Sequence, residues 1–259
     1  AKRAGLLAGD VIVSVNDEAA GDWSIEKAVS KIRGEKGTTV KLTVAREDQP
    51  KDFTITRDAI NNPSVKSEIL AGNIGFLRIS RFGETDTATL SKKAAESFKA
   101  AGVKAVILDL RGNGGGYLGT AGQVSSLWLE DKVVVTQRSN GKVVDTLRSE
   151  NYAPLKGIKT IVLVDGGSAS ASEIVAGALI DNNAATLVGE KTFGKGSVQV
   201  IKPVASGGML KVTTAKWYTP SGKNISKEGI KPTIEVKLTA EDVNAGRDLQ
   251  KDKAIELAQ

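Results

Sequence analysis

A short apolar run at 158–164, IKTIVLV, ends in Asp165, Gly166 and Gly167 and is followed by Ser168, Ala169, Ser170, Ala171 and Ser172. Beyond it Ile174, Val175, Ala178 and Leu179 recur at the spacing of one apolar helix face. The serines therefore stand at a strand-to-helix turn, beside the amide-rich and partly positive start of a helix. A hydroxyl at Ser170 is well placed for a reaction that builds negative charge next to it. Turn and N-cap hydrogen bonding are the ordinary roles of Ser168 and Ser172, and spacing alone does not choose among the three. The chain has 0 His and 0 Cys, which removes a His-assisted serine and a cysteine nucleophile. Activation falls to a lysine, a carboxylate, the α-amine or a metal. Lys195 lies between Gly194 and Gly196 in TFGKGSVQV, flanks that suit a tight backbone carrying one long side chain inward. Gln199 follows four positions later. In a continuous strand the two would share a face roughly 13 Å apart, so they touch only if residues 194–197 turn.

A second candidate loop, RGNGGGYLG (111–119), directly follows the apolar run KAVILDL (104–110). Its glycines either let the backbone pass close to its neighbours or present consecutive amides to a developing charge. Two phosphate-binding patterns fail here. Gly114-x-Gly116-x-x-Gly119 is separated from its strand by a polar turn and lacks the acidic residue that would close the next strand. Residues 189–195 read G-x-x-x-x-G-K, but Gly196 stands where Ser or Thr is needed for Mg²⁺. The Ser-x-x-Lys tetrapeptides at Ser24/Lys27 and Ser139/Lys142 sit at no glycine-framed turn. Glu173 reads as support for the helix start. No tight Asp/Glu cluster is visible, and without His or Cys the ligand set for a transition metal is poor.

GSASASEI, then TFGKG with Gln four residues after the lysine, resembles the carboxy-terminal processing (tail-specific) peptidases, which are Ser/Lys serine peptidases carrying a PDZ domain. The resemblance implies Ser170 as nucleophile, Lys195 as general base and Gln199 as the lysine's orienting partner. The family's DLR-x-N-x-GG pattern matches Asp109, Leu110, Arg111, Asn113, Gly115 and Gly116. It implies that the amide of Gly116, or alternatively Gly115, pairs with that of Ala171 to bind the oxyanion, with Asp109 and Arg111 structural. It implies no cofactor, a protein or peptide substrate with a free C-terminus, a site of work outside the cytoplasm, and possible homo-oligomers. A lysine that accepts a proton near pH 7 must be held neutral, although such an amine ordinarily titrates near about 10.4. Burial is the effect that penalises the ammonium. The surroundings of Lys195 are therefore expected to be closed and apolar, with Gln199 accepting one N–H.

The elements that must position these residues divide into two domains. Residues 1–58 read as a β-rich module: Gly9-Asp10 before an alternating run, a helix near 23–33 with Ile25, Ala28, Val29 and Ile32 on one face, then TVKLTVAR (39–46) with period two. AGL-x-x-GD, the helix and RGEKGTTVKLTVAR resemble the second half of a PDZ domain. The glycine-rich loop and peptide-receiving strand of that family would precede Ala1, so the sequence reads as part of a longer chain, and only the helix side of a β-augmentation groove is in it. Asn61, Asn62 and Pro63 mark a break. Residues 59–259 then alternate strand and helix, with strands at 73–82, 104–110, 132–138 and 158–164 and helices at 86–101, 117–130 and 168–181. That order predicts an α/β core with a mixed sheet. A hairpin around Gly207-Gly208 is expected within 198–220. Length, 40% hydrophobic and 25% charged residues suit a globular protein with ample core. A net charge of +6 without basic runs interleaved with aromatics argues against nucleic acid as a partner, and no apolar run reaches the length of a membrane span.

Overall fold

The computed structural model describes residues 1–59, 63–204 and 208–259. The chain separates into two compact units, Ala1–Asn62 with Leu238–Asp248, and Pro63–Lys237 with Leu249–Gln259. The expected break at Asn61 and Asn62 lies outside the described residues.

The first unit contains β1 (Val11–Val15), β2 (Glu18–Ala19), α1 (Ile25–Ile32), β3 (Thr39–Arg46) and β4 (Gln49–Thr56), in an antiparallel sheet of order β2-β1-β3-β4. Val15, Val40 and Leu42 form its small core, with Trp23 and Ile32 packed against them. The helix face proposed from periodicity is only partly used. Ala28 and Ile32 are half-buried, whereas Ile25 and Val29 are exposed. Asp10, at the turn into β1, receives Arg46 of β3 through two hydrogen bonds of 2.7 Å and the Leu7 amide at 2.9 Å. This bidentate pair ties the two strands at their ends.

In the second unit the elements run β5 (Val65–Leu70), β6 (Ile74–Ile79), α2 (Thr87–Ala100), β7 (Ala105–Asp109), α3 (Leu118–Ser125), β8 (Val133–Ser139), β9 (Lys142–Arg148), β10 (Lys159–Val164), α4 (Ala171–Asp181), β11 (Thr186–Gly189), β12 (Ser197–Pro203), β13 (Met209–Tyr218) and β14 (Ile234–Glu235). After the short α5 (Ala240–Asn244), which groups with the first unit, α6 (Leu249–Ala258) closes the chain. One sheet has the order β14-β11-β10-β7-β6-β5, parallel throughout except for the antiparallel edge strand β5. The mixed sheet is therefore present. A second, antiparallel sheet has the order β12-β13-β8-β9. The expected hairpin is β12–β13; Gly207 lies outside the described residues, and Val204 N donates to Gly208 O beside it.

Every residue of β7 is buried. Successive side chains of a strand point to opposite faces, so Val106 and Leu108 enter one core with Val162 and Val164 of β10, while Ala105 and Ile107 enter the other with Ile161 and Leu163. Helix α6 covers the second face through Ala254 and Ala258. Each such Ile or Leu contributes about 1.5–3 kcal/mol on burial. Strands β7, β10 and β11 all end at the same edge, and the loops leaving carboxyl ends of a parallel sheet are where such folds form their crevice. The glycine loop, the serine turn and the segment carrying Lys195 are those three loops.

The Arg46 pair and the Leu7 amide hold the Asp10 carboxyl down at about 2, against an ordinary 3.8. A depressed carboxyl stabilises the folded state above its unfolded value and ceases to do so as pH falls through the folded value. Acid titration of thermal unfolding should show the first unit weakening between about pH 4 and pH 2, with Asp10→Asn already weakened at pH 6 and flatter across that window. Parallel curves for the two proteins would refute the assignment.

Candidate functional site

Helix α4 is buried on all sides from Ala171 to Leu179, not only along the periodic face, as expected for a helix in the middle of a domain. Its N-terminus begins at Ser170, whose backbone lies at φ 55° and ψ −114°. That region is sparsely populated by residues with a Cβ and is held only where surrounding contacts over-determine it. Three serines competed for one role in the sequence, and their environments separate them. Ser168 and Ser172 are both 0% exposed. The Ser168 hydroxyl donates to Leu110 O at 2.9 Å and Ser172 to Asn113 O at 2.8 Å. Ser170 alone of the three is partly exposed.

The glycine loop is drawn tight against this turn. Ala169 N donates to Asn113 O at 3.0 Å. A Cβ on Gly115 would stand 2.8 Å from the Ser170 Cβ and 2.9 Å from Ala171 N, and one on Gly116 would collide with the carbonyl of Phe82. Gly115 and Gly116 have φ of 102° and 147°, so both positions require glycine sterically and conformationally. The two oxyanion alternatives differ in one respect. Gly115 N is already spent on the Asn113 side chain at 2.9 Å. Among the described residues the amides of Gly116 and Ala171 donate no hydrogen bond. At the loop's base, buried Asp109 accepts Arg111 through Nε and Nη2 at 3.0 and 2.9 Å, and Arg111 reaches Gln250 of α6 at 3.1 Å.

Glu173, read from sequence as helix support, does more. It is 0% exposed. Its Oε1 accepts from the Thr192 hydroxyl at 2.6 Å and Gly194 N at 2.7 Å. Its Oε2 accepts from Ser170 N and from Lys195 N, each at 2.9 Å. Two nitrogens bonded to one oxygen can stand no farther apart than twice that distance, so the backbones of Ser170 and Lys195 are neighbours. The signal was available: Ser170-Ala171-Ser172-Glu173 is the S-x-x-E capping pattern, but nothing local reveals the second pair of donors.

The segment 192–196 is threaded through a narrow space. Gly194 has φ 88°, with a would-be Cβ 2.9 Å from Lys227 C. Gly196 lies against Ser226, and Gly194 O accepts from Lys227 N at 2.8 Å. Residues 191–196 form no regular element, and β12, which starts at Ser197, is bulged between Val198 and Gln199.

The expected closed, apolar surroundings of Lys195 are not found. Lys195 and Gln199 are both exposed, and among the described residues Lys195 Nζ donates no hydrogen bond to Ser170 or Gln199. Lys195 is held by its backbone amide, which donates to Glu173 Oε2, and the residue as a whole is exposed. Among the described residues there is no group of three or more metal-ligating side chains, and no helix is long and apolar enough to cross a membrane.

A parallel sheet with a serine turn, a glycine loop and a lysine loop at one edge is the arrangement of a known peptidase family. Residues 73–236 match the model of peptidase family S41, and residues 1–46 match a PDZ domain. The chain belongs to peptidase family S41. It is 40% identical over 256 residues to a carboxy-terminal-processing protease of Bartonella bacilliformis, covering 96% of this chain and 58% of that protein. It is 39% identical to the carboxy-terminal processing protease CtpA of Bacillus subtilis, covering 92% and 51%. The chain thus spans about half the length of the curated relatives it matches. Among solved structures, a photosystem II D1 C-terminal processing protease superposes with TM-score 0.77 at 27% identity, over 98% of this chain and 70% of that one. A putative S41 protease from Bacteroides fragilis shares the fold, with TM-score 0.66 at 20% identity over 99% and 75%.

Replacing Glu173 by Ala would leave four donors facing a cavity, and each unsatisfied buried donor costs about 1–3 kcal/mol. Urea unfolding of Glu173→Ala should show a loss of at least ~3 kcal/mol after partial relaxation. A midpoint equal to that of the wild type would mean that the carboxylate clamps nothing.

Proposed function

We propose that this chain is the catalytic part of a serine endopeptidase that cleaves protein substrates near their C-termini. The observation that carries the reading is the single Glu173 oxygen shared by the Ser170 and Lys195 amides. It supports the reading because it holds the backbones of these two residues, 25 positions apart in sequence, beside one another.

Ser170 Oγ attacks the scissile carbonyl carbon, and its proton passes to Lys195 Nζ. The oxyanion is received by the amides of Gly116 and Ala171, both without another acceptor among the described residues. Loss of one such donor costs about 2.7–4 kcal/mol in the acylation barrier. Lys195 returns the proton to the leaving amine, and water resolves the acyl-enzyme. Gln199 orients the amine. No cofactor enters this sequence of steps. Because Lys195 is exposed, the enzyme works only after a substrate chain covers the amine and turns it inward, a substrate-assembled site. The PDZ unit regulates access, and the enzyme acts outside the cytoplasm; both assignments rest on the family resemblance, as does the capacity to form homo-oligomers.

A second reading is a non-cleaving module that holds protein tails, and the exposed Lys195 side chain is the observation in its favour. A serine-reactive fluorophosphonate separates the two. The peptidase reading expects one adduct at Ser170, absent in Ser170→Ala, and cleavage of unfolded protein reduced at least about 10²-fold in Lys195→Ala. A Lys195→Ala protein retaining a tenth of the activity would remove lysine from the mechanism.

Covering of the amine has its own test. In Ser170→Ala, acetylation of Lys195 by acetic anhydride, read by mass spectrometry, should slow at least fivefold when an unstructured peptide is bound. An unchanged rate would show that the substrate does not close over the lysine.

A further inference from the structure

We infer that Asp165 is a positioning residue of the candidate site, holding the glycine loop against the serine turn and so setting the separation of the Gly116 and Ala171 amides; this rests on the peptidase reading above.

Strands β7 and β10 are parallel neighbours, and their last backbone bond is Leu110 N to Leu163 O at 3.0 Å. Past that point the sheet no longer holds the two chains together, yet the proposed oxyanion amides sit on different loops, one on each side. Something else must fix their distance. The Asp165 side chain supplies one link beyond the ladder, next to that of the Ser168 hydroxyl to Leu110 O. Its Oδ1 accepts from Gly112 N on the glycine loop at 2.9 Å and from Gly167 N on its own turn at 2.9 Å. The Ser168 hydroxyl lies 3.2 Å from the same oxygen and donates to Leu110 O at 2.9 Å, while accepting from Asp165 N at 3.0 Å. One carboxylate oxygen thus joins both loops.

The approach it maintains is close. A Cβ on Gly167 would stand 3.0 Å from the Gly112 Cα and 3.3 Å from Asp165 Oδ1. Gly112 is itself at φ 66°, a turn that points its amide back toward Asp165. The further links, Ala169 N and Ser172 Oγ to Asn113 O, are built on the position that Gly112 has already been given. Without Asp165 the loop-to-loop bond at Gly112 is lost, and the Gly112 amide turns to water.

What the geometry requires of Asp165 is an acceptor at Oδ1, which an asparagine carbonyl also supplies. This separates positioning from charge and from general stability. Asp165→Ala should raise hydrogen exchange of the 112–116 backbone amides at least tenfold, with β7 and β10 still protected. Its kcat on an unfolded protein substrate should fall at least about tenfold, since misplacing a preorganised donor by a fraction of an ångström is costly, while KM stays within threefold. Asp165→Asn should restore both readouts to within about threefold of the wild type. The exchange measurement needs no turnover, so it decides the positioning claim even if wild-type protein fails to cleave, a failure that would count against the peptidase reading alone. Unchanged exchange in Asp165→Ala, or an Asp165→Asn protein as loose as the alanine variant, would overturn the inference.

Discussion

A carboxylate with no exposure to water, at the first turn of a helix that is itself buried, sets the terms for the rest of this site. Burying a charge is costly unless hydrogen bonds replace its hydration. Glu173 meets that condition with four donors drawn from two segments, Ser170 on one side and Thr192, Gly194 and Lys195 on the other. The segments cannot part without leaving the charge unsatisfied. The unusual backbone of Ser170 follows from the same constraint, because a residue at φ 55° persists where its neighbours leave it no alternative. Its amide is held by Glu173, and the Ala169 amide before it by Asn113.

The second constraint is steric. Five parallel strands bring the loops after β7, β10 and β11 to one edge, and these loops approach more closely than side chains allow. Gly112 faces Gly167, Gly115 faces Ser170, Gly116 lies under Phe82, and Gly196 lies against Ser226. At Gly115, Gly116 and Gly196 glycine is a condition of assembly. Among the described residues the amides of Gly116 and Ala171 are left without an acceptor. The site is therefore rigid in its backbone. Lys195 is fixed at its amide by Glu173 and is exposed as a residue.

Much of this was legible locally. The buried run at 104–110, the hairpin on either side of residues 205–207, and the helix found at Thr87–Ala100 all announce themselves through periodicity and glycine. Strands β9 and β11 were not read. KVVDTLR is exposed on most of its length and TLVG is four residues long, so neither produces a pattern above its surroundings. The exposed Ile25 and Val29 of α1 show the opposite failure, an apolar face present in sequence without a core to receive it among the described residues. For the site, the serine, lysine, glutamine and glycine candidates came from their motifs. Glu173 and Asp165 were undervalued, since a carboxylate's partners lie in segments that sequence does not bring together.

By itself the sequence determined the chemistry available to this protein. With no His and no Cys, a hydroxyl at a helix start and a glycine-framed lysine define a small set of reactions, and residue type settles that without a fold. Only the tertiary structure decided which of Ser168, Ser170 and Ser172 is accessible, that among the described residues the Gly115 amide is occupied while the Gly116 amide is open, and that Lys195 is exposed. Each of these depends on which hydrogen-bond partners and which solvent reach an atom, and those are properties of segments packed together from distant parts of the chain.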